Sequence, residues 1–355
     1  MEDRTDLAEQ LRRQAGWCHR LGSPLYGELL TRAAEEAGAG GPVAEVCGNR
    51  EDVPLRLMAA IHRLVLTGRA PELARFYPSA GGAASGDPWP AFRRTVAERR
   101  EEIRPLLDRR CQTNEVGRSA ALLGGFLLVA RETGVRRLAL AEIGASAGLN
   151  LRWDRYRYET AGSAWGDPAS PVRFVDPFLE TYPPFDVPVK VAERRGCDLA
   201  PLDPARAEDR LTLLSSVWAD QVERHRRLEA ALEVAAGVPA EVERADAMEW
   251  LGRRLADDRP GMATVVFHSV VEVYLSPDQR AGLRRLVEEA GARARARSPV
   301  AWLRMEPVPG DPEGRGQVRF EDMEVRLAVW PGGEDRRIAT AAAHGLPVRW
   351  LGPTN

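Results

Sequence analysis

The stretch Arg137–Asn150, RLALAEIGASAGLN, constrains the fold of this chain more than any other segment. Leu138 to Ile143 form a short apolar run that only Glu142 interrupts, which predicts a buried parallel strand. The residues from Gly144 to Gly148 are all small, so they allow a sharp turn and let a ligand approach the backbone closely. A helix that starts on such a loop directs unpaired N–H groups at whatever binds there. The segment therefore predicts a strand, a loop and a helix that hold a nucleotide-like cofactor.

Three chemistries could use this loop. The dinucleotide pattern G-x-G-x-x-G fails, because the small residues stand at Gly144, Ser146 and Gly148. The nucleophile elbow G-x-S-x-G of serine hydrolases matches letter for letter, with Ser146 as the nucleophile. The loop also resembles the acidic-x-G-x-G-x-G loop of class I S-adenosylmethionine (SAM) methyltransferases, with Glu142 as the acidic residue and Ser146 in place of the middle glycine. The loop alone does not decide between a serine hydrolase and a methyltransferase. A tight turn that binds no ligand is the third possibility.

The order of the predicted elements further along the chain favours the methyltransferase interpretation. A second strand ends at Asp198 and a third just before Asp246, while apolar runs predict a fourth strand at 263–268, a fifth at 300–305 and a closing hairpin at 325–351. A serine hydrolase needs an acid and then a histidine loop late in the chain, and neither His268 nor His344 lies in such a loop. A hydrolase is therefore the lesser alternative.

From Gln112 to Leu351 the chain resembles the class I methyltransferases. More narrowly, the motifs QTNEVGRSA, EIGASAGLNLRWDRYRY, WGDPASPVR, RRGCDLAPLDP and VVFHSVV resemble an uncharacterised bacterial family that is methyltransferase-like. The resemblance implies a Rossmann-like α/β fold with a mostly parallel sheet, a C-terminal antiparallel hairpin and an N-terminal helical cap. The absence of a D/N-P-P-Y signature after the fourth strand argues against methylation of an amino group on a base or on glutamine.

The same resemblance implies SAM as the cofactor and assigns its parts to the loop and to two strand ends. The loop would line the methionine part, Asp198 would take the ribose hydroxyls and Asp246 the adenine end, so the implied cofactor residues are Glu142, Gly144, Ser146, Gly148, Asp198 and Asp246. Arg118 is expected about one turn inside the helix that leads to the central strand. From there it could bind a carboxylate of the cofactor bidentately.

Further candidates lie elsewhere in the sequence. His268, at the end of the fourth strand, is the predicted general base, because a neutral imidazole suits proton removal near pH 7. Alternatively, His268 could be a core residue whose ring nitrogens have hydrogen-bond partners within the protein. Glu272 and Tyr274 could hold the acceptor, and the predicted substrate-binding residues are Asn114, Trp153, Asp154 and Trp165. Asn114 could equally cap a helix, and the other three could form a packed polar cluster.

Helical spacing of apolar residues over 1–110 predicts a helical cap or lid, followed by an α/β domain over 111–355 with an inserted hairpin at about 151–186. The net charge of −2 gives no reason to expect nucleic acid or a membrane surface as a partner. Four cysteines without C-x-x-C spacing predict no metal site and fit a reducing cytoplasm.

We therefore expect a cytoplasmic SAM-dependent methyltransferase that acts on a small-molecule or natural-product acceptor. The alternative is an enzyme of the same fold that catalyses a cyclisation or an elimination. A small partner subunit or a homodimer is compatible with either.

Overall fold

Twelve α-helices and eleven β-strands occupy residues 2–83, 85–109, 111–308 and 319–354, which are the residues that the computed structural model describes. The helices are α1 (Glu2–Arg20), α2 (Pro24–Ala39), α3 (Pro42–Cys47), α4 (Val53–Leu66), α5 (Pro71–Ala74), α6 (Trp89–Glu98), α7 (Arg100–Leu107), α8 (Arg118–Thr133), α9 (Ala207–Ser216), α10 (Val222–Gly237), α11 (Ala247–Ala256) and α12 (Pro277–Arg293). The strands are β1 (Arg137–Ile143), β2 (Arg157–Thr160), β3 (Ser163–Gly166), β4 (Arg173–Val175), β5 (Lys190–Asp198), β6 (Glu241–Arg244), β7 (Ala263–Ser269), β8 (Val300–Val308), β9 (Arg319–Trp330), β10 (Arg336–Ala341) and β11 (Val348–Trp350).

The first of two compact units is helical and comprises Met1–Thr113 together with Arg206–Glu229. Its helices bury one apolar face each in a common core, as helical spacing of leucine and alanine requires. The sequence assigned the later segment to the α/β domain. In the structure it belongs to the helical unit, because Trp218 and Ala219 are buried in that core.

The second unit comprises Asn114–Ala205 and Ala230–Asn355 and is built on an eight-stranded sheet of order β11-β10-β9-β8-β7-β1-β5-β6. The five neighbouring strands β6, β5, β1, β7 and β8 are parallel to one another. Strands β9, β10 and β11 continue the sheet as an antiparallel meander. The central strands β1 and β7 are buried over almost their whole length, as parallel strands covered on both faces must be. The predicted α/β class with a mostly parallel sheet is thus confirmed.

The strand order reverses between β1 and β7. From β1 the chain proceeds to β5 and β6 on one side, and from β7 to β8 on the other, so the loops that leave β1 and β7 diverge. In open α/β sheets this divergence forms a crevice outside the carboxyl ends of the strands, where ligands bind. We call this end of the parallel strands the carboxyl edge.

The connection from β1 to β5 contains a 3₁₀ segment, Asn150–Arg155, and a small sheet of order β3-β2-β4. The sequence predicted an α-helix directly after the loop, and that prediction is wrong. Helix α8 covers one face of the main sheet, and its residues from Ser119 to Ala130 are all buried. No helix among the described residues is both long and apolar enough to cross a bilayer.

Candidate functional site at the carboxyl edge

The loop after β1 is wound by three residues in the left-handed region. Gly144 and Gly148 each have φ of +67°, and Ser146, which has a side chain, has φ of +53°. The loop after β7 holds another non-glycine residue in the left-handed region, Val270, with φ of +57°. A β-branched residue rarely adopts this conformation, and such strain is found mostly at ligand sites and switch regions. Strained loops therefore flank both sides of the crevice between β1 and β7.

All five backbone N–H groups from Ala145 to Leu149 donate to acceptors within the protein. Asn114 accepts two of them on Oδ1, from Ala147 at 3.2 Å and from Leu149 at 2.9 Å. The others go to the carbonyls of Cys197 and Ala145 and to the Asp198 carboxylate. The prediction that the loop offers unpaired N–H groups to a ligand is therefore wrong. Asn114, expected to bind substrate, is buried and holds the loop instead.

Asp198 and Asp246 lie at adjoining strand ends, since the amide of Ala245 donates to the Asp198 carbonyl at 3.1 Å. The half-buried carboxylate of Asp198 accepts the Ser146 amide on Oδ2 and the Ala200 amide on Oδ1, each at 2.9 Å. The exposed carboxylate of Asp246 caps α11. Both predicted residues thus lie at the carboxyl edge, and both also shape the local backbone.

Glu142, the penultimate residue of β1, is the most unusual group at this edge. Its side chain is buried, and Oε2 has no hydrogen-bond partner among the described residues. Burial raises the pKa of this carboxyl well above its usual range, and repulsion from Asp198 adds to the effect, while Arg152 and Arg118 oppose it. Native proteins seldom leave such an oxygen unpaired, so a donor from a ligand is its natural partner.

Two arginines approach Glu142 from different elements. Arg118, at the start of α8, donates from Nη1 to the carbonyl of Ser269 at 3.2 Å and to its hydroxyl at 3.4 Å. It therefore binds the end of β7, and it is the first residue of α8 rather than one turn inside the helix as predicted. Arg152, which the sequence did not single out, donates to the carbonyls of Ala147 at 3.3 Å and of Gly148 at 2.7 Å. The local sequence gave no signal for it, because polar and bulky residues alternate from Asn150 to Arg157.

Val271 lies directly against the loop. A Cβ added to Gly144 would come within 2.6 Å of Val271 Cγ2, so glycine is required there for the close approach of a protein side chain. We had expected the small residue to admit a ligand. The side chain of Val271 therefore occupies the space beside Gly144.

His268 is wholly buried and both of its ring nitrogens are engaged. The indole N–H of Trp302 donates to Nε2 at 3.1 Å, so Nδ1 carries the proton and donates to Glu306 Oε1 at 2.7 Å. In the sheet register Glu142 is opposite Phe267, which places His268 on the other face from Glu142. The assignment of His268 as a general base beside the cofactor loop is therefore corrected: it is a satisfied core histidine.

Glu306, in β8, was missed by the sequence analysis. Besides His268 it accepts the amides of Val271 at 2.9 Å and of Glu272 at 3.2 Å, so this one carboxylate fixes the turn after β7. Glu272 is half-buried, and Tyr274, in the same 3₁₀ turn, is 82% exposed. Both candidates for holding an acceptor thus lie on a turn that follows the carboxyl edge.

The remaining substrate candidates are occupied by packing. Trp153 is wholly buried and stacks on Phe126, with ring centroids 4.3 Å apart, and on Trp165 at 5.1 Å. Asp154 forms a bidentate ion pair with Arg194, with N–O distances of 2.5 and 2.7 Å. The structure therefore places these three residues in a packed cluster and corrects their assignment as substrate ligands.

Ser146 does not have the environment of a serine nucleophile. Its hydroxyl is buried and has no hydrogen-bond partner in the part of the chain that the structure describes, so no histidine there can take its proton. The geometry disfavours the hydrolase alternative. Ser146 Oγ is thus a second buried polar atom, in addition to Glu142 Oε2, to which a ligand could form a hydrogen bond.

The chain was compared with protein families, curated proteins and solved structures. Residues 8–350 match the family described as an uncharacterized protein conserved in bacteria, DUF2332. No curated protein and no solved structure matches the chain.

Proposed function

This chain belongs to the DUF2332 family of bacterial proteins, and we propose that it is a SAM-dependent methyltransferase that acts on a small-molecule acceptor. The observation that carries the proposal is the buried Glu142 carboxyl at the end of the central strand, with an unpartnered oxygen next to a guanidinium. The site lies where the strand order reverses, which is where sheets of this kind bind nucleotide cofactors.

The amino-acid end of SAM carries an ammonium and a carboxylate. Glu142 Oε2 is suited to accept the ammonium, because a cation next to it favours the ionised carboxylate that burial otherwise disfavours. Arg118 is suited to bind the carboxylate, since a guanidinium recognises carboxylates through paired N–H donors. Binding is then expected to release the proton that Glu142 holds in the free protein.

The ribose and adenine would extend towards β5 and β6. Asp198 is the proposed partner of the ribose hydroxyls, because a carboxylate oxygen that already accepts an amide N–H can accept a second hydrogen bond. Asp246 is exposed at the next strand end and would lie beside the adenine. Ser146 Oγ is the remaining buried polar atom that the cofactor could satisfy.

When bound, SAM supplies the methyl group and the sulfur leaving group, so the chain has mainly to align the acceptor. His268 cannot serve as the base without breaking two buried hydrogen bonds. We therefore propose an acceptor that is nucleophilic without strong base catalysis, held by Glu272 and Tyr274 on the turn after β7. The exposed ring of Tyr274 favours an acceptor with an apolar or aromatic face.

Calorimetric titration with SAM and with S-adenosylhomocysteine tests the proposal. We expect saturable binding, proton release to the buffer, and an affinity that Glu142→Gln lowers by about tenfold or more, because a buried bond to a charged group is lost. Glu288→Gln, the same substitution at a half-exposed surface site, is the matched control. Absence of binding at the highest soluble protein concentration would contradict the proposal.

A second candidate keeps this crevice but transfers no methyl group, and catalyses a cyclisation or an elimination of a small molecule. The close contact of Val271 with Gly144 and the occupied loop amides favour it, because they narrow the cofactor loop. Binding of the cofactor without methyl turnover on any acceptor would support this candidate over the first.

A further inference from the structure

A groove that is open to solvent lies within the helical unit, and its lining residues are not among those discussed so far. One wall is a single face of α4, where Arg56, Ala60 and Arg63 follow one another at helical spacing. Arg109, just after α7, and Thr212, in α9, complete it.

Positive charge exceeds negative charge around this groove. Arg63 and Arg109 share one carboxylate, that of Glu208, and the Arg109–Glu208 distance is 2.8 Å. Arg56 makes no ion pair with any described residue, and its recorded hydrogen bond is a long one of 3.5 Å to the carbonyl of Leu107. Two guanidinium groups of the groove therefore share one carboxylate, and the third has no acidic partner among the described residues.

This excess of positive charge around the groove contrasts with the near balance of charges in the whole chain. The sequence has 50 basic and 52 acidic residues, and several arginines elsewhere in the unit have an acidic partner of their own, such as Asp87 for Arg32 and Asp108 for Arg50. Clustered guanidinium groups in a walled groove attract a multivalent anion, and their planar donors match phosphate oxygens. The alanines of α4 and Leu106 add an apolar wall for an organic substituent.

We propose that this groove binds a small phosphorylated molecule. Arg56 and Arg109 would contact the phosphate directly. Arg63, already held by Glu208 and Thr212, would do so from the floor of the groove. The site is independent of the carboxyl edge of the sheet, so it stands whether or not SAM binds there.

Titration of the full chain with inorganic phosphate and with phenyl phosphate, at constant ionic strength, tests the proposal. Both are expected to bind saturably. Tighter binding of phenyl phosphate would identify an organic phosphate as the ligand, whereas equal binding would identify free phosphate. Arg56→Gln should weaken binding about tenfold or more, because a charged hydrogen-bond donor is lost. Arg69→Gln, at an exposed arginine paired with Glu102, is the control and should bind as the wild type does.

Glu208→Gln should change the affinity for phosphate in the opposite direction to Arg56→Gln. Removing the one carboxylate that offsets the arginines should strengthen phosphate binding, which a purely structural role for Glu208 would not do. Cys111 lines the groove and is the one partly exposed cysteine of the four, so bound phosphate should slow its alkylation. Failure of phosphate to bind beyond the effect of chloride, or unchanged binding by Arg56→Gln, would overturn the proposal.

Discussion

Oε1 of Glu306 lies 2.7 Å from Nδ1 of His268, and the carboxylate thereby fixes the tautomer in which Nε2 accepts the indole N–H of Trp302. The same carboxylate holds the amides of Val271 and Glu272. A buried chain of hydrogen bonds thus joins β7, β8 and the turn that borders the crevice, and it accounts for His268 without any catalytic role.

Replacing Glu306 should accordingly affect stability. Glu306→Ala leaves one imidazole and two backbone donors without their acceptor, so we expect the free energy of unfolding to fall by about 3 kcal/mol or more. Urea denaturation measures the loss. Glu288→Ala, at a surface ion pair, should change it by less than about 1 kcal/mol. A loss at Glu306 no larger than at Glu288 would show that this network is not formed.

Asn114 provides the corresponding test for the loop. Asn114→Ala removes the acceptor of two amides in a buried part of the loop, and each unpaired amide costs about 1–3 kcal/mol. We expect a loss of about 2 kcal/mol or more in the free energy of unfolding, together with weaker binding of S-adenosylhomocysteine, since the loop is no longer held. The same substitution at the exposed Asn49 is the control. Unchanged stability would show that Asn114 does not hold the loop.

Local patterns predicted the parallel core well, because each central strand is encoded by its own apolar run. The predicted strands at 138–143, 263–268 and 300–305 are confirmed as β1, β7 and β8, with ends shifted by at most three residues. The acidic residues at the ends of β1 and β5 were also found from their position after such runs. These features depend on residues that are neighbours in sequence.

The errors lie where distant residues decide the structure. The helix expected after the loop gives way to a 3₁₀ segment, because Asn114, more than thirty residues earlier, binds two of the loop amides. His268 seemed a base because its partner Glu306 stands 38 residues later, in another strand. A charged residue within the apolar run of β8 was visible in the sequence, but its partner could not be read from spacing.

The helical unit should lose stability in mild acid. His62 and His225 pack edge to face, with ring centroids 5.2 Å apart, and burial lowers the pKa of His62 to about 3 and that of His225 to about 4. Folded, both rings stay neutral, whereas the unfolded chain takes up protons below pH 6.5. The stability that depends on these two neutral rings is therefore fully present above pH 6.5, and it is lost as pH falls towards 4 and then 3.

Between pH 6.5 and 5.5 we expect a loss of roughly 1–2 kcal/mol for the pair, measured as the urea midpoint or as hydrogen exchange in α4. His225→Gln should reduce this slope to about half, because one of the two titrating rings is gone. His19→Gln, at an exposed position, should leave the slope unchanged. Equal slopes for the wild type and His225→Gln over this range would contradict the assignment of two buried neutral imidazoles.

Glu142→Gln should separate binding from stability. The folded carboxyl stays protonated above the pH at which the unfolded one ionises, so the contribution of Glu142 to wild-type stability falls as pH rises above about 4.5. Glutamine is neutral at every pH and removes this loss, so the stability of the variant relative to the wild type should increase from pH 4.5 to pH 8, and the variant should be the more stable of the two at pH 8. Because the same variant should bind S-adenosylhomocysteine more weakly, a gain in stability with a loss of affinity would identify Glu142 as a residue kept for its ligand. Destabilisation by Glu142→Gln at pH 8 would instead show that the carboxylate is ionised and serves the fold.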